Sequence, residues 1–189
     1  MVVRTLQGRC PGFWLVVLLA ALWPWHAHAQ TNSALERQVK AAYLYKFAGF
    51  VEWPEGSFAR PDSPVVIGVA GADALAEQLE HTVAGHTAGG RPLHVKRIRR
   101  GDSLAGIHML FIAGHDKALA QDLLAASRGQ PVLTVTDAED SLGLGSMINF
   151  VIADERLRFE VSLKPAAAAR LKISARMLSA AYRVQQVAG

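Results

Sequence analysis

Cysteine is nearly absent from this sequence. The only one, Cys10, lies before an apolar run from Phe13 to Trp25, and the basic residues Arg4 and Arg9 also precede that run. A basic start, an apolar core of about 10 to 13 residues and the small residues of Ala27-His28-Ala29 are the pattern of a cleaved secretory signal peptide. A membrane-spanning helix needs roughly 20 apolar residues, so a retained anchor is the weaker alternative. We expect residues 1–29 to be the signal peptide and residues 30–189 to form the exported domain.

The exported chain would have no cysteine, which excludes structural disulfides, thiol catalysis and cysteine-ligated zinc. It also lacks a strong charge of either sign, because loss of two arginines lowers the formal net charge from +4 to +2. The charge and the export therefore argue against nucleic-acid binding. The remaining 160 residues can bury about 70% of the surface of their unfolded chain. One domain without a metal or disulfide is the expectation.

Strand and helix patterns alternate along the chain. Ser33 and Glu36 have the spacing of a capping box, and the apolar residues that follow predict a helix from about Ala34 to Val51. Further predicted elements are strands at 65–69, 93–98, 109–112 and 132–135, helices at 73–83 and 117–127, a hairpin of 147–152 with 157–163, and a last helix capped by Ser174 with Tyr182 turned inward. The alternation predicts an α/β fold: a single domain with about six strands in a mostly parallel sheet, a C-terminal antiparallel hairpin and about five flanking helices.

The sequence motifs give little support to catalysis or to a cofactor. Gly145-Ser146-Met147 lacks the second glycine of a nucleophile elbow, and Gly68-Val69-Ala70-Gly71 lacks the glycine order of a dinucleotide site. His81 and His86 are five residues apart, whereas a zinc pair on a helix needs four. We therefore expect a protein that is not an enzyme and holds no cofactor or metal. A hydrolase, and a small ligand bound beyond the carboxyl ends of the parallel strands, remain alternatives.

Two groups of residues are candidates for binding a partner. The first predicted helix is apolar around most of its circumference, so it is either buried in the core or covered by a partner. A basic cluster near the end of the strand at 93–98 either guards a sheet edge or docks on an acidic surface. The candidate partner-binding residues are Tyr45, Phe50, Glu52, Trp53, Arg97, Arg99 and Arg100. The acidic residues Asp137, Glu139 and Asp140 are expected to lie in a solvated loop.

Five segments, in the same order along the chain, resemble the YfiR family of periplasmic proteins. They are AAYLYKF at 41–47 with FVEWP at 50–54, VVIGV at 65–69, PVLTV at 131–135, GSMINF at 145–150 and LKIS at 171–174. The resemblance extends over roughly Val39 to Val184. It implies a small α/β periplasmic protein, with a six-stranded sheet flanked by helices, that acts by binding.

The resemblance also implies a function. This implication rests on the family alone, since no functional site was found among the residues. The namesake of the family represses an inner-membrane diguanylate cyclase by contacting its periplasmic portion, which lowers cyclic di-GMP and biofilm formation. A diguanylate cyclase or sensor kinase is therefore the expected partner, and a homodimer or a small ligand is left open. The namesake carries disulfide cysteines near its Gly-Ser-Met segment. The exported chain has none, so redox gating through its own thiols is excluded.

Overall fold

The computed structural model describes the backbone of residues 25–186 and the side chains of residues 32–186. The chain divides into two compact units, Met1–Glu36 and Arg37–Gly189. Most of the predicted signal peptide, residues 1–24, lies outside the described residues. Within the described part of the chain, no helix has the length and apolar character needed to cross a membrane.

The second unit is a mixed α/β domain, which contains the first helix from residue 37 onward and all the later elements. The helices are α1 (Trp25–Ala48), α2 (Asp73–Val83), α3 (Lys117–Ser127), α4 (Leu163–Ala168) and α5 (Ala175–Ala180). The strands are β1 (Val51–Glu52), β2 (Val65–Ala70), β3 (Thr87–Ala88), β4 (Arg91–Ile98), β5 (Met109–Ile112), β6 (Leu133–Thr136), β7 (Ile148–Ala153), β8 (Arg156–Ser162), β9 (Lys172–Ile173) and β10 (Arg183–Gln185).

Eight strands form the main sheet, in the order β10-β8-β7-β6-β5-β2-β4-β3. The five central strands run parallel; they are β4, β2, β5, β6 and β7 in their order across the sheet. Strands β7 and β8 form the predicted antiparallel hairpin. Strand β10 pairs with β8, while β1 and β9 form a separate antiparallel pair. The expectation of about six strands was too low, because the two- and three-residue strands are too short to show a hydrophobic pattern.

The helices cover the two faces of the central sheet. Leu44 and Phe47 of α1 and Leu79 of α2 belong to one buried cluster, together with Phe111 of β5. Leu123 and Leu124 of α3 belong to a second cluster, with Leu110 and Ile112 of the same strand. Because neighbouring side chains of a strand point to opposite faces, α1 and α2 lie on one face and α3 on the other. This two-sided burial explains why β2 and β5 are continuously apolar, and why all four residues of β6 are buried although two of them are threonines.

Helix ends differ from the sequence patterns in three places. Helix α1 begins at Trp25, so Ser33 lies inside it and the predicted capping box is wrong. The sequence pattern predicts Asp73 as the N-cap of α2, but the N-cap is Ala72, without a side-chain cap. Ser174 caps α5 as predicted, and its side chain accepts a hydrogen bond from Met177 N. Tyr182 does not turn inward: α5 ends at Ala180, and the backbone N–H of Tyr182 donates to the carbonyl of Phe159 at 2.8 Å. That bond leads the chain into β10 and leaves Tyr182 45% exposed.

Candidate partner-binding surfaces

The second half of α1 contributes to the core of the domain. Leu44 and Phe47 are buried, and the ring of Phe47 packs against Phe159 with a centroid distance of 4.9 Å. Tyr45 and Phe50 are half-buried and pack against the same cluster. The structure therefore favours the core interpretation of this helix over the interface interpretation.

Trp53 follows β1 and lies against the amino edge of the main sheet. Its indole Nε1 donates a hydrogen bond to the backbone carbonyl of His108 at 3.1 Å, and its ring meets Phe58 edge-on at 6.0 Å. The side chain is half-buried. Glu52, in contrast, is exposed and has Lys172 as its ion-pair partner, at 3.9 Å. Trp53 thus links the loop that follows β1 to the main sheet through a hydrogen bond, while Glu52 lies at the surface.

His108, just before β5, holds the loop from residue 53 to residue 64. Its Nδ1 accepts a hydrogen bond from the backbone N–H of Val66 at 3.1 Å, so in the neutral ring the proton is on Nε2, which donates to the Ser57 carbonyl at 3.0 Å. Phe58 stacks on the imidazole at 4.3 Å, and the Arg91 guanidinium lies 3.9 Å above the Phe58 ring. Burial lowers the pKa of His108; the hydrogen bond to Ser57 opposes this shift, and the positive charge of Arg91 adds to it. No local motif in the sequence distinguishes this histidine.

The basic cluster lies at the opposite, carboxyl edge of the parallel strands. Arg97 in β4 pairs with Glu80 of α2 at 2.7 Å, and Arg100 pairs with Asp122 of α3 at 2.5 Å. Arg99 is exposed, and its backbone N–H donates to the carboxylate of Asp102. The structure therefore separates the predicted partner-binding residues into two groups at opposite edges of the sheet. Two of the three arginines already have carboxylate partners within the domain.

Two loops lie close together at the carboxyl edge of the central strands, beside a cavity of about 440 Å³ that Asp137 helps to line. Asp137, directly after β6, pairs with Lys40 of α1 at 2.6 Å and accepts a hydrogen bond from the Gly114 N–H, also at 2.6 Å. The backbone at Gly114 lies close to Ala138, because a Cβ added to Gly114 would be only 2.6 Å from the Ala138 Cα. The prediction that Asp137 is solvated is wrong, although Glu139 and Asp140 beside it are exposed.

An exposed surface that sequence analysis did not select lies at the β8–β10 edge of the sheet. The Arg158 and Arg183 guanidiniums lie 5.9 and 6.0 Å from the centroid of the Tyr182 ring, and Val151 is the register partner of Arg158. We call Val151, Arg158, Tyr182 and Arg183 the hairpin patch. A signal was present in the sequence, since Arg156, Arg158 and Glu160 alternate with apolar residues and so mark one face of β8 as polar. A further exposed apolar residue, Ile152, lies near the hairpin turn.

The described residues thus form a small α/β domain, in which a doubly wound parallel core carries an antiparallel hairpin and a last strand, β10, at one edge. Residues 37–182 match the family model described as YfiR/HmsC-like, and the chain belongs to this family. The matched segment runs from α1 to Tyr182 of the hairpin patch. No curated protein matches the chain.

Proposed function

We propose that this protein is a periplasmic regulatory binding protein that represses an inner-membrane diguanylate cyclase by contacting the periplasmic portion of that enzyme. The repression would lower cyclic di-GMP and biofilm formation. The observation that carries the proposal is membership of the YfiR/HmsC-like family over residues 37–182. A sensor kinase in the same membrane is the alternative partner.

The hairpin patch is the surface that we propose for docking. Tyrosine and arginine are enriched at the centres of protein interfaces, where they supply much of the binding energy. Tyr182 is 45% exposed with two guanidiniums near its ring, and the Arg183 side chain forms an ion pair with Glu160 at 3.4 Å. Strand β10 is also the last strand of the sheet, so its outer backbone groups have no strand partner within the described residues. These features suit a partner surface that offers acidic groups opposite Arg158 and Arg183.

The environment of Ser146 supports binding over hydrolysis. This residue is fully buried, and its hydroxyl donates to the carbonyl of Ile148 at 2.8 Å. Thr136 donates to the same hydroxyl at 3.1 Å and so joins it to a network with Asn149. A nucleophilic serine needs an exposed hydroxyl next to a general base. In this position Ser146 instead fixes the connection between β6 and β7.

The docking surface can be tested with purified protein and the periplasmic fragment of a diguanylate cyclase from the same organism. We expect Tyr182→Ala and Arg158→Ala each to raise the dissociation constant at least about tenfold in calorimetry, as for interface hot spots. Arg176→Ala, an exposed position on α5, is the matched control and should bind like wild type. Unchanged affinity in both patch variants would place docking elsewhere, whereas failure of the wild-type protein to bind would contradict the proposed function itself.

A further inference from the structure

A cavity lies on the amino-edge side of the central strands, and none of the predicted partner-binding residues lines it. Its volume is about 540 Å³. Four segments enclose it: the end of α3, the connection between β6 and β7, the start of α4 and the residues that follow β10. The volume is within the range of small-molecule sites, which is roughly 300 to 1,000 Å³.

The charged side chains that line this cavity are both cationic. They are Arg128, just after α3, and Lys164 in α4. Neither forms an ion pair with a carboxylate of the described residues, unlike Arg97 and Arg100. Two other cavities at the surface of the domain include carboxylates in their walls, Glu80 in one and three acidic residues in the other. The charge of this cavity therefore favours an anion.

A buried hydroxyl also lines the cavity. Ser162 is 6% exposed and occupies the N-cap position of α4, yet it makes no capping hydrogen bond. Its hydroxyl has no other partner among the described residues. Among the described residues, the one unpaired side-chain polar atom that is fully enclosed belongs to Ser57. The unpaired hydroxyl of Ser162 is therefore not fully enclosed and keeps some accessible surface. A ligand in the cavity could therefore form a hydrogen bond with this hydroxyl.

The remaining walls are largely apolar. Leu124, Leu142, Met147 and Pro165 line the space beside Ser162. An apolar cavity with a few converging polar groups is the usual form of a small-molecule site, in which the apolar walls give affinity and the polar groups give orientation. A simple inorganic anion would leave these walls exposed to water.

We propose that this cavity binds a small amphipathic carboxylate, with an apolar body of about 8 to 15 non-hydrogen atoms. The carboxylate is held by Arg128 and Lys164 and accepts a hydrogen bond from the Ser162 hydroxyl, while the body lies against the four apolar residues. The site goes beyond the proposed function, which requires only a protein partner. Binding of such a ligand does not depend on that partner.

Calorimetric titration of the purified protein with octanoate tests the proposal. Octanoate should bind at one site, and 1-octanol, which keeps the chain without the charge, should bind at least about tenfold more weakly, as should acetate, which keeps the charge without the chain. Absence of saturable octanoate binding, or equal affinity for octanoate and octanol, would overturn the proposal.

Three variants assign the binding to this cavity. Arg128→Gln combined with Lys164→Gln should weaken octanoate binding at least about tenfold, since charge-assisted bonds to the carboxylate are lost. Ser162→Ala should weaken it a few-fold. The exposed pair Lys117→Gln with Arg176→Gln removes the same net charge elsewhere and should bind like wild type. Both cations of the cavity are exposed, so circular dichroism should show a native fold for the Arg128/Lys164 variant. Octanoate binding by this variant with wild-type affinity would refute the assignment.

Discussion

His108 and Trp53 show how single residues fasten a long irregular segment to the sheet. The segment from residue 53 to residue 64 has no strand or helix of its own. Both imidazole nitrogens of His108 and the indole N–H of Trp53 are used in bonds with backbone atoms. A protonated imidazole could not accept the Val66 N–H, so the attachment requires a neutral ring.

Lowering the pH should destabilise the domain through His108. The unfolded chain takes up a proton near the ordinary pKa of 6.5, while the folded chain, in which the pKa of His108 is lowered, takes it up only at lower pH. The unfolded state therefore binds more protons below about pH 6.5, and the free energy of unfolding decreases there; above that pH the effect is absent.

Urea unfolding at pH 7.5 and pH 5.0 measures this effect. His108→Asn keeps an acceptor near Nδ1 but does not titrate, so it should lose less stability than wild type between the two pH values. His94→Asn, at an exposed position of β4, should behave like wild type. An identical pH dependence of wild type and His108→Asn would show that His108 is not the titrating group.

Removal of the Trp53 side chain should weaken folding more than docking. We expect Trp53→Ala to lower the free energy of unfolding by about 2 kcal/mol, less than a fully buried tryptophan because the side chain is half-buried. Trp53→Phe should lose about 1 kcal/mol, mainly the hydrogen bond to His108. Circular dichroism during urea unfolding measures both, with Ile152→Ala, 67% exposed in wild type, as the near-neutral control. Unchanged stability with weakened partner binding would make Trp53 an interface residue.

At the scale of elements, the residues of β5 and α3 were predicted with their observed bounds. Their signals are local: four consecutive buried apolar residues in β5, and an apolar stripe that ends before Gly129 in α3. Strands β1, β3 and β10 have two or three residues and depend on their pairing partners, so no local pattern shows them.

The candidate sites were harder to predict because their contacts join distant parts of the chain. The basic cluster was visible in the sequence, but the pairing of Arg100 with Asp122 depends on how α3 lies against the sheet. The partner of Asp137 is 97 residues away, in α1. Tyr182 was assigned to the core because it follows a helical apolar pattern, and only the observed end of α5 places it at the surface.

The close approach of two loops at the carboxyl edge of the sheet should not tolerate a methyl group. Gly114→Ala would bring its Cβ within 2.6 Å of the Ala138 Cα, so the loops must separate and the hydrogen bond from Gly114 to Asp137 must lengthen. We expect a loss of about 2 kcal/mol in the free energy of unfolding, measured in urea. Gly49→Ala, whose Cβ would meet its nearest neighbour at 3.5 Å, is the control and should be nearly neutral. Equal stability of the two variants would contradict the tight contact.

At the scale of the whole molecule, the core and the proposed interface are different parts of one sheet. The central parallel strands are covered by helices on both faces, whereas the β8–β10 edge keeps Tyr182 and two arginines accessible. Substitutions in the hairpin patch should therefore change partner binding with little effect on folding. Because of this separation, variants of the hairpin patch can be tested for regulation in cells while the folded protein remains present.

The most direct test of the account is the cyclic di-GMP content of the native host after deletion of the gene. The account predicts that deletion raises cyclic di-GMP, that the wild-type gene restores the lower level, and that a gene carrying Tyr182→Ala and Arg158→Ala does not, although its protein is present in equal amount. If the deletion leaves cyclic di-GMP unchanged while the membrane partner is expressed, the proposed repression is contradicted.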